Sequence, residues 1–491
     1  MESEMVFFDK VIERRRIVRR VGQVRRVKWS VAIVAAFMVT VCVAVPPTAT
    51  VTVDPAQELR AVKPMNGVNN GPSGSRGIAG ARQLYALAKI PFARTHDSNF
   101  HAGYGGPHTV DITAVFPSFD ADENDPASYD FPMTDRYLTT ITNAGTEVFF
   151  RLGQSIEHGI KKYGIYPPKD FAKWARICEH IIRHYNEGWA NGFRMNIRYW
   201  EIWNEPDLGG PEENNEWKTN PLTWGGSEED FHRFYTVAAR HLKERFPHLM
   251  IGGPALCGYE KWAERFIKAM AAEKVPIDFF SWHAYRPSPE PIIATAKNIR
   301  RMLDANGYGK AESILDEWNY IRSWTEDFAY NVRTIKAEKG AAFTLATMIA
   351  CQSAPVDILM YYDARPTAYN GLFADGTYDP LKGYYPFYIW SKLKGCGTQV
   401  AAKVENAKDL YVCAAKGAGG RAAVVLCRYT DNDNRNGSLL AAVSVAGLPT
   451  ARITCHLTDP CRAHTEFPLE IKDGCVTVPL ERNAFALVEF E

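Results

Sequence analysis

Residues 200 to 206 read Trp-Glu-Ile-Trp-Asn-Glu-Pro, an apolar strand that ends in an Asn-Glu pair directly before a chain-breaking proline. A second carboxylate has a matching setting in residues 314 to 319, Ile-Leu-Asp-Glu-Trp-Asn. Two carboxylates at the ends of two strands suit the cleavage of a glycosidic bond, because one can protonate the leaving oxygen while the other attacks or supports the sugar cation. The pair Glu205 and Glu317 therefore favours sugar hydrolysis.

The sequence around these motifs alternates between short apolar runs and longer amphipathic stretches, the pattern of strand-helix units around a parallel sheet. Helices are predicted at 168–185 and at 228–246, the second opened by a capping box from Ser227 to Asp230. Eight such units predict an α/β fold, a (β/α)₈ TIM barrel over residues 55–395, with Glu205 on the fourth strand and Glu317 on the seventh. Both would open on the C-terminal face, where barrel active sites lie. The predicted strands are 62–68, 92–96, 147–152, 197–203, 250–254, 279–283, 313–317 and 358–362.

The sequence pattern changes near residue 398. Short strands with alternating apolar residues follow, separated by turn signals such as Asn436-Gly437. This pattern predicts a C-terminal β-sandwich domain over residues 398–491, which residues 50–54 can join as an extra strand. A helix over 384–393 is expected to close the barrel. The predicted strands of this domain are 410–414, 422–428, 441–445, 452–457, 476–478 and 484–490.

Residues 1–45 have the character of a basic and hydrophobic leader. Eight basic residues from Arg14 to Lys28 precede an uncharged run at 29–45, which is at the short limit for spanning a bilayer and slightly long for a signal-peptide core. The charge asymmetry places the N-terminus inside and the remainder outside the cytoplasm. A secreted or membrane-anchored protein is therefore predicted, with a soluble leader on a cytoplasmic enzyme as the alternative.

The composition limits the class of partner. With 57 basic and 56 acidic residues the net charge is +1, which provides no field for nucleic acid and favours a neutral oligo- or polysaccharide. The ten cysteines show neither C-x-x-C nor zinc-ligand spacing, so no metal and no organic cofactor is predicted. Cys178 and Cys351 are expected to be buried thiols, whereas Cys455, Cys461 and Cys475 lie near enough in sequence to pair in an oxidising compartment.

The two glutamates are assigned different roles. Glu205 is the predicted general acid and base, and its rival Glu201 is expected to be a structural residue inside the barrel. Glu317 is the predicted nucleophile, with Asp316 as the alternative of opposite strand parity. Because a nucleophile must be ionised while an acid is protonated at the same pH, the pKa of Glu205 is expected to be high and that of Glu317 low.

Other side chains near the strand ends are candidates for binding substrate. Arg94 and His96 are two residues apart, so they are expected to face one side and to bring a cation and a sugar-hydroxyl ligand beside Glu317. His283 and Tyr285 follow the sixth strand and could hold the nucleophile or a sugar hydroxyl. One or two aromatic residues at strand ends are expected to form a sugar platform, and the candidates are Trp203, Trp318, Tyr320, Trp324, Tyr361 and Tyr362.

Five segments together resemble glycoside hydrolase family 39, within a large clan of barrel glycosidases. The resemblance implies a retaining double displacement by Glu205 and Glu317, with Asn204 holding the 2-hydroxyl of the sugar. Family members act on β-xylosides, α-L-iduronides, α-L-arabinosides and a few other glycans. The matching segments are Trp-Glu-Ile-Trp-Asn-Glu-Pro at 200–206, Asp-Glu-Trp-Asn at 316–319, Arg-Thr-His at 94–96, Trp-His-Ala-Tyr at 282–285 and Gly-Val-Asn-Asn-Gly-Pro at 67–72.

The leading interpretation is an exo-acting retaining glycosidase for β-xylosides or α-L-arabinosides of plant-type glycans. An endo-acting or uronide-specific, iduronidase-like hydrolase is the alternative with the same chemistry, and it would need cations for the substrate carboxylate, for which Lys161, Lys162 and Arg286 are available. A membrane-tethered carbohydrate-binding protein without catalysis is the alternative of another class. The intact carboxylate pair argues against it, since a binding module has no use for two such groups.

Overall fold

The computed structural model describes residues 48–72, 80–96, 108–208, 221–447, 452–472 and 475–491. Within these ranges, no helix is both long enough and apolar enough to cross a membrane. The basic and apolar leader at 1–45 lies outside the described residues, so the anchor and the extracytoplasmic location stay predictions. The described chain begins with strand β1 (Thr48–Ala61), which belongs to the C-terminal sheet rather than to the barrel.

Eight parallel strands follow and close into a barrel in chain order. They are β2 (Gly67–Asn69), β3 (Phe92–Arg94), β4 (Glu147–Leu152), β5 (Tyr199–Ile202), β6 (Met250–Leu256), β7 (Phe279–Arg286), β8 (Glu312–Tyr320) and β9 (Ile358–Tyr361). Each overlaps a predicted strand, and the predicted fold class is confirmed. The first barrel strand begins at Gly67 rather than at Val62, beyond Pro64, which lacks the backbone donor that a ladder requires.

The helices of the barrel lie between its strands, as the amphipathic pattern predicted. The second predicted helix runs over Glu228–Arg245, and its capping box is present: the Ser227 hydroxyl accepts from the amide of Asp230 at 3.0 Å, and the Asp230 carboxylate accepts from the amide of Ser227 at 3.2 Å. The helices are α1 (Arg82–Leu87), α2 (Ile112–Val115), α3 (Pro132–Thr142), α4 (Phe171–Asn186), α5 (Glu228–Arg245), α6 (Glu260–Ala272), α7 (Pro289–Ala305), α8 (Phe328–Ile335), α9 (Glu338–Gln352) and α10 (Tyr385–Cys396).

The interior of the barrel is built in layers. Its lower part is an apolar plug in which the rings of Phe149 and Tyr199 stack with centroids 5.2 Å apart. Because side chains alternate along a strand, the residue two positions on points into the same interior one layer higher. That step leads from Tyr199 to Glu201 and from Ile314 to Asp316, both fully buried. A charged layer therefore lies between the apolar plug and the mouth of the barrel.

The C-terminal domain is one ten-stranded sheet in the order β15-β14-β18-β12-β11-β10-β1-β13-β17-β16. Strand β1 pairs antiparallel with β10 and parallel with β13, and it thereby joins the two halves that a sandwich would keep separate. The strands are β10 (Thr398–Glu405), β11 (Leu410–Lys416), β12 (Ala422–Arg428), β13 (Leu439–Val445), β14 (Ile453–Thr458), β15 (Thr465–Glu466), β16 (Glu470–Lys472), β17 (Cys475–Leu480) and β18 (Phe485–Phe490).

This sheet packs directly on the barrel. Every residue of β12 is buried, and its side chains alternate between two cores: Val425 belongs to the core shared with the barrel, and Val424 to the core inside the sheet domain. Cys178 and Cys351 are buried as predicted, and the nine cysteines of the described ranges, Cys455, Cys461 and Cys475 among them, are all free thiols.

Candidate active site

The Asn-Glu pair after β5 lies at the mouth of the barrel because the backbone leaves the strand conformation there. Trp203 has φ 76° and Glu205 has φ 46°, and these left-handed residues break the strict alternation of side chains. The amide of Glu205 donates to the carbonyl of Ala255 at 2.9 Å, which fixes the turn to the neighbouring strand. Asn204 and Glu205 consequently both enter the site, as predicted from the position of Pro206.

A bulge in β8 brings the second carboxylate to the same place. The register between β7 and β8 pairs Trp282 with Leu315 and then His283 with Glu317, so Asp316 is the extra residue. Asp316 is fully buried in the charged layer, whereas Glu317 reaches the mouth and keeps 5% of its surface exposed. The bulge therefore lets two adjacent acidic residues both face inward.

Glu205 and Glu317 face each other across His283. The imidazole Nδ1 lies 2.6 Å from Oε1 of Glu205 and 3.7 Å from Oε2 of Glu317. One carboxylate oxygen of Glu205 lies within 4.8 Å of one of Glu317. Two glutamates from strands far apart in sequence thus both approach the same imidazole nitrogen.

Glu317 is held by hydrogen-bond donors on both oxygens. The Tyr285 hydroxyl donates to Oε1 at 2.6 Å, and the Arg94 guanidinium donates to Oε2 at 3.2 Å. His96 Nε2 lies 3.9 Å from the same Oε2. The structure thus brings Arg94, His96 and Tyr285 beside Glu317, where the sequence predicted them.

Arg94 links the charged layer to the mouth. Its Nε donates to Glu201 at 2.7 Å and lies 3.0 Å from Asp316, and its terminal nitrogen donates to the Asn204 side-chain oxygen at 2.7 Å. Glu201 is a buried residue of the barrel interior, as predicted. Arg94 also donates to the side-chain oxygen of Asn69 at 3.1 Å, so a single cation orients the amide beside Glu205 and contacts the carboxylate of Glu317.

The proton distribution in the charged layer distinguishes Asp316 from Glu317. Burial raises the pKa of Asp316 well above its usual range, and repulsion from Glu201 adds to this effect. The pKa of Glu201 is lowered, because Arg94 and a hydrogen bond from Asp316 outweigh burial. These opposite directions favour the proton on Asp316 over the proton on Glu201, and a carboxyl group that holds its proton is a poor candidate for the nucleophile.

The expected low pKa of Glu317 is wrong. Burial raises the pKa of Glu317 above its usual range and repulsion from Glu205 contributes, while His283, Arg94 and the Tyr285 hydrogen bond lower it only in part. Burial also lowers the pKa of His283 to about 4, so this imidazole is neutral near pH 7. Desolvation thus affects the pKa of Glu317 more than the nearby cation does. A sequence pattern does not give the relative size of these two effects.

The predicted platform residues Trp203 and Trp318 do not line the mouth. The Trp203 indole is 2% exposed, donates to the carbonyl of Thr223 at 3.0 Å and packs edge-on against Trp224. Trp318 is fully buried against Phe343 and Tyr361. Trp318 points away from the site because it directly follows Glu317 on strand β8, and the left-handed φ of Trp203 turns its indole into the helix layer. They belong to the packing between barrel and helices.

Asp207 is a site residue that the sequence analysis missed. Its carboxylate accepts from the amide of Cys257 at 2.9 Å and from that of Tyr259 at 3.2 Å, and so ties the segment after β5 to the loop after β6. Burial raises the pKa of Asp207. Its position directly after the Asn-Glu-Pro motif was the sequence signal that could have identified it.

Glu205, His283 and Glu317 could each also offer one ligand atom to a metal ion, since carboxylate and imidazole are both metal ligands.

Comparisons with known proteins agree with this architecture. Residues 103–324 match the model of the family described as Glycosyl hydrolases family 39. A β-xylosidase from Geobacillus stearothermophilus is 30% identical over 224 residues, which cover 43% of this chain and 41% of that protein. The chain thus spans about two fifths of the length of this curated relative.

Two solved structures share the fold over nearly the whole chain. A glucosidase from Croceicoccus marinus has a TM-score of 0.70 at 21% identity and covers 90% of this chain and 98% of its own. A GH39 enzyme from Xanthomonas axonopodis pv. citri has a TM-score of 0.66 at 17% identity and covers 91% and 98%. The match of residues 103–324 to the family model confirms the predicted resemblance to glycosyl hydrolases family 39.

Proposed function

We propose that this protein is a retaining glycoside hydrolase in which Glu205 is the acid/base and Glu317 the nucleophile. The observation that carries the proposal is the separation of the two carboxylates, whose nearest oxygens lie within 4.8 Å. Retaining enzymes hold their carboxyl groups about 5 to 5.5 Å apart, whereas inverting enzymes need about 6.5 to 9.5 Å to admit a water. The short separation supports direct attack by one carboxylate on the sugar.

In the first step, Glu317 attacks the anomeric carbon while Glu205 gives its proton to the departing oxygen. The neutral imidazole of His283 supports the protonated state of Glu205. Its Nε2 lies 3.6 Å from Asp316, and the tautomer with the proton on Nε2 directs that proton toward Asp316. Nδ1 then accepts from a protonated Glu205 at 2.6 Å. In the second step, Glu205 takes a proton from water while the water oxygen attacks the anomeric carbon, which breaks its bond to Glu317 and releases the sugar.

The contacts of Glu317 support its role as the attacking group. Donors on both oxygens, from Tyr285 and Arg94, stabilise the ionised form. The same donors fix the orientation of the carboxylate, because each of its two oxygens accepts a hydrogen bond from a different residue. Asp316 lacks this placement, since it is fully buried below the mouth.

Asn204 and His96 are the proposed ligands of sugar hydroxyls. Arg94 occupies the side-chain oxygen of Asn204 at 2.7 Å, which orients the amide nitrogen as a donor. His96 lies on the Glu317 side of the cavity at 3.9 Å. Each is 1% exposed or less, so a sugar that contacts them is largely removed from water.

A neutral sugar fits this electrostatic environment better than a uronide. Arg94 is a cation that contacts Glu317, and it is already bonded to Glu201 and Glu317. Arg286 is exposed and donates to the carbonyl of Tyr285 at 2.9 Å. Together with the similarity to a β-xylosidase, these contacts favour β-xylosides or α-L-arabinosides as substrates of an exo-acting enzyme. The alternative is an endo-acting or uronide-specific enzyme.

The test is a substrate panel on the full chain with product stereochemistry. Aryl β-xyloside, α-L-arabinoside and α-L-iduronide are offered, and the anomer released first is identified by ¹H NMR. We expect turnover of a xyloside or arabinoside with retention. Release of the opposite anomer would contradict the assignment of Glu317 as nucleophile. Saturable sugar binding without turnover of any substrate would instead support the carbohydrate-binding alternative.

A further inference from the structure

The segment after β8 is tied to the C-terminal sheet by a cluster of charges. Arg322 Nε donates to Asp431 at 2.8 Å, and its terminal nitrogen donates to Asp433 at 3.0 Å. Lys339 contacts the same two carboxylates at 2.8 and 3.0 Å. Two cations thus meet two anions between the barrel and the loop that follows β12, and the cluster is neutral as a whole.

Two tyrosine hydroxyls complete this cluster, and one side chain clamps the segment from the barrel side. Tyr320 donates to Asp431 at 2.5 Å and Tyr330 donates to Asp433 at 2.6 Å. The buried amide of Asn331 accepts from the backbone of Arg322 at 3.1 Å and donates to the carbonyl of Ser323 at 2.7 Å. The backbone of residues 322 and 323 is therefore held from both sides.

Trp324 follows this clamped segment directly and lies beside the candidate active site. Its indole is 52% exposed, yet its ring packs at 4.9 Å against Tyr285 with an interplanar angle of 67° and lies 6.3 Å from Tyr369. The hydroxyl of Tyr285 donates to Glu317. An exposed aromatic face thus stands one ring away from the proposed nucleophile.

We propose that Trp324 binds a sugar unit next to the one being cleaved, and that Asp431 of the C-terminal sheet is a positioning residue that sets the Trp324 ring through Arg322. This inference rests on the proposed function and extends it to substrates longer than one sugar. The exposed indole offers a flat apolar face beside the site, and the flat faces of pyranoses and furanoses can pack against such a ring. A chain of direct contacts leads from Asp431 to Arg322, along the backbone to Trp324, and on to Tyr285.

The geometry predicts a difference between short and long substrates. A glycosyl fluoride has a leaving group of one atom, so it can occupy the cavity between Glu205 and Glu317 without reaching Trp324. A trisaccharide extends beyond that cavity and can stack on the indole. A defect in Trp324 should therefore appear with the trisaccharide alone, whereas damage to the fold would affect both substrates.

The experiment measures binding and turnover in the full chain. Binding of β-1,4-xylotriose, α-1,5-arabinotriose and the free monosaccharides is measured by calorimetry in a Glu317→Gln background, and turnover of xylotriose and xylosyl fluoride is measured in the otherwise unchanged protein. The variants are Trp324→Ala, Trp324→Phe, Asp431→Ala and the milder Asp431→Asn. Glu290→Gln is the matched control, because the Tyr411 hydroxyl donates to Glu290 in another contact between sheet and barrel.

We expect Trp324→Ala to weaken trisaccharide binding about tenfold and to raise KM by a similar factor, as for a buried aromatic contact at an interface. The loss with xylosyl fluoride, which does not reach Trp324, should be clearly smaller than the loss with the trisaccharide. Trp324→Phe should restore most of the affinity, both Asp431 variants should show a smaller loss on the trisaccharide alone, and Glu290→Gln should match the parent.

Equal loss on trisaccharide and fluoride, an unchanged trisaccharide affinity in Trp324→Ala, or failure of both trisaccharides to bind the parent would each overturn the proposal. If trisaccharides bind in the expected pattern but no substrate turns over, the proposed function fails while the binding site stands.

Discussion

The hydroxyl of Tyr285 donates a 2.6 Å hydrogen bond to Oε1 of Glu317, while Arg94 donates to the other oxygen of the same carboxylate. Both contacts favour the ionised form of Glu317, and burial opposes them strongly enough to leave its pKa above the usual range. Burial and the two donors thus shift the pKa of Glu317 in opposite directions, so the loss of one donor should be visible in the pH dependence of the reaction.

Replacing Tyr285 with phenylalanine should move the acidic limb of the pH-rate profile to higher pH. The nucleophile works only when ionised, so the rate falls as the pH drops through the pKa of Glu317. Loss of a donor to the ionised form raises that pKa, by about 1 unit for a bond worth about 1 kcal/mol. The profile of kcat/KM is measured for Tyr285→Phe beside Tyr308→Phe, whose hydroxyl donates to the carbonyl of Val275 far from the site. An acidic limb that stays in place, or moves to lower pH, would contradict the proposed role of Tyr285.

Removing the proposed acid/base should slow reactions according to the leaving group. Glu205→Ala should lower kcat/KM about 10²- to 10⁴-fold for poor leaving groups, the usual worth of a positioned proton donor. Activated aryl glycosides should lose much less, and azide should restore turnover with the same anomer. In Glu317→Ala, azide should instead give the inverted glycosyl azide. An exchange of these two outcomes would reverse the assignments, and Glu264→Ala at an exposed position of helix α6 provides the control.

Arg94 should be essential for folding as well as for catalysis. Its removal in Arg94→Met leaves buried carboxylates without their cation, which typically costs about 3 to 5 kcal/mol of the free energy of unfolding. Urea denaturation measures this loss, with Arg240→Met as the control, since the pair of Arg240 with Glu273 is half-exposed and such pairs contribute about 0 to 1 kcal/mol. A loss below about 1 kcal/mol in Arg94→Met would mean that the charged layer adjusts by protonation.

Trp318 should affect stability and leave substrate binding unchanged. Its indole is fully buried against Phe343 and Tyr361, so Trp318→Phe removes packed volume and should cost about 1 to 3 kcal/mol of the free energy of unfolding. KM should match that of the parent protein. A rise in KM with unchanged stability would restore Trp318 as a platform residue.

The imidazole of His464 should make the protein less stable in mild acid. Burial, with the neighbouring His456 and Lys392, lowers the pKa of His464 to about 4, below the usual value of about 6.5. Its contribution to stability is therefore complete above pH 6.5 and is lost as the pH falls toward 4. Between these limits His464→Asn should flatten the curve of unfolding free energy against pH by about 1 to 3 kcal/mol. Parallel curves for the two proteins would contradict this linkage.

The sequence was sufficient for the barrel strands and the carboxylate pair because both depend on local patterns. The eight strands are short apolar runs between amphipathic helices, and Glu205 and Glu317 close two of those runs. Strand β10 was missed since its residues are half-exposed and their alternation is weak. Strand β1 was expected as a short addition, and its full length of 14 residues follows from pairing with strands near the other end of the chain.

The directions of side chains at the mouth depended on features that have no local signature. The left-handed φ of Trp203 sends its indole into the helix layer, and the bulge at Asp316 brings two adjacent acids inward. Strand parity alone predicts neither, because both break it. The raised pKa of Glu317 was missed for a related reason. The sequence motif indicated Arg94 as a nearby cation, but the energetic cost of burying Glu317 depends on the atoms that surround it in the folded protein.

The position of β1 has a consequence for biosynthesis and for truncation. Its two partner strands, Thr398–Glu405 and Leu439–Val445, are separated from it by the entire barrel. During translation, Thr48–Ala61 lacks its two partner strands until the ribosome has synthesised more than three hundred further residues. Any fragment that stops before residue 398 leaves this edge open to other chains. The barrel is consequently inserted in the chain between β1 and the other strands of the C-terminal sheet. We expect the barrel and the sheet to be expressed and to unfold as one unit.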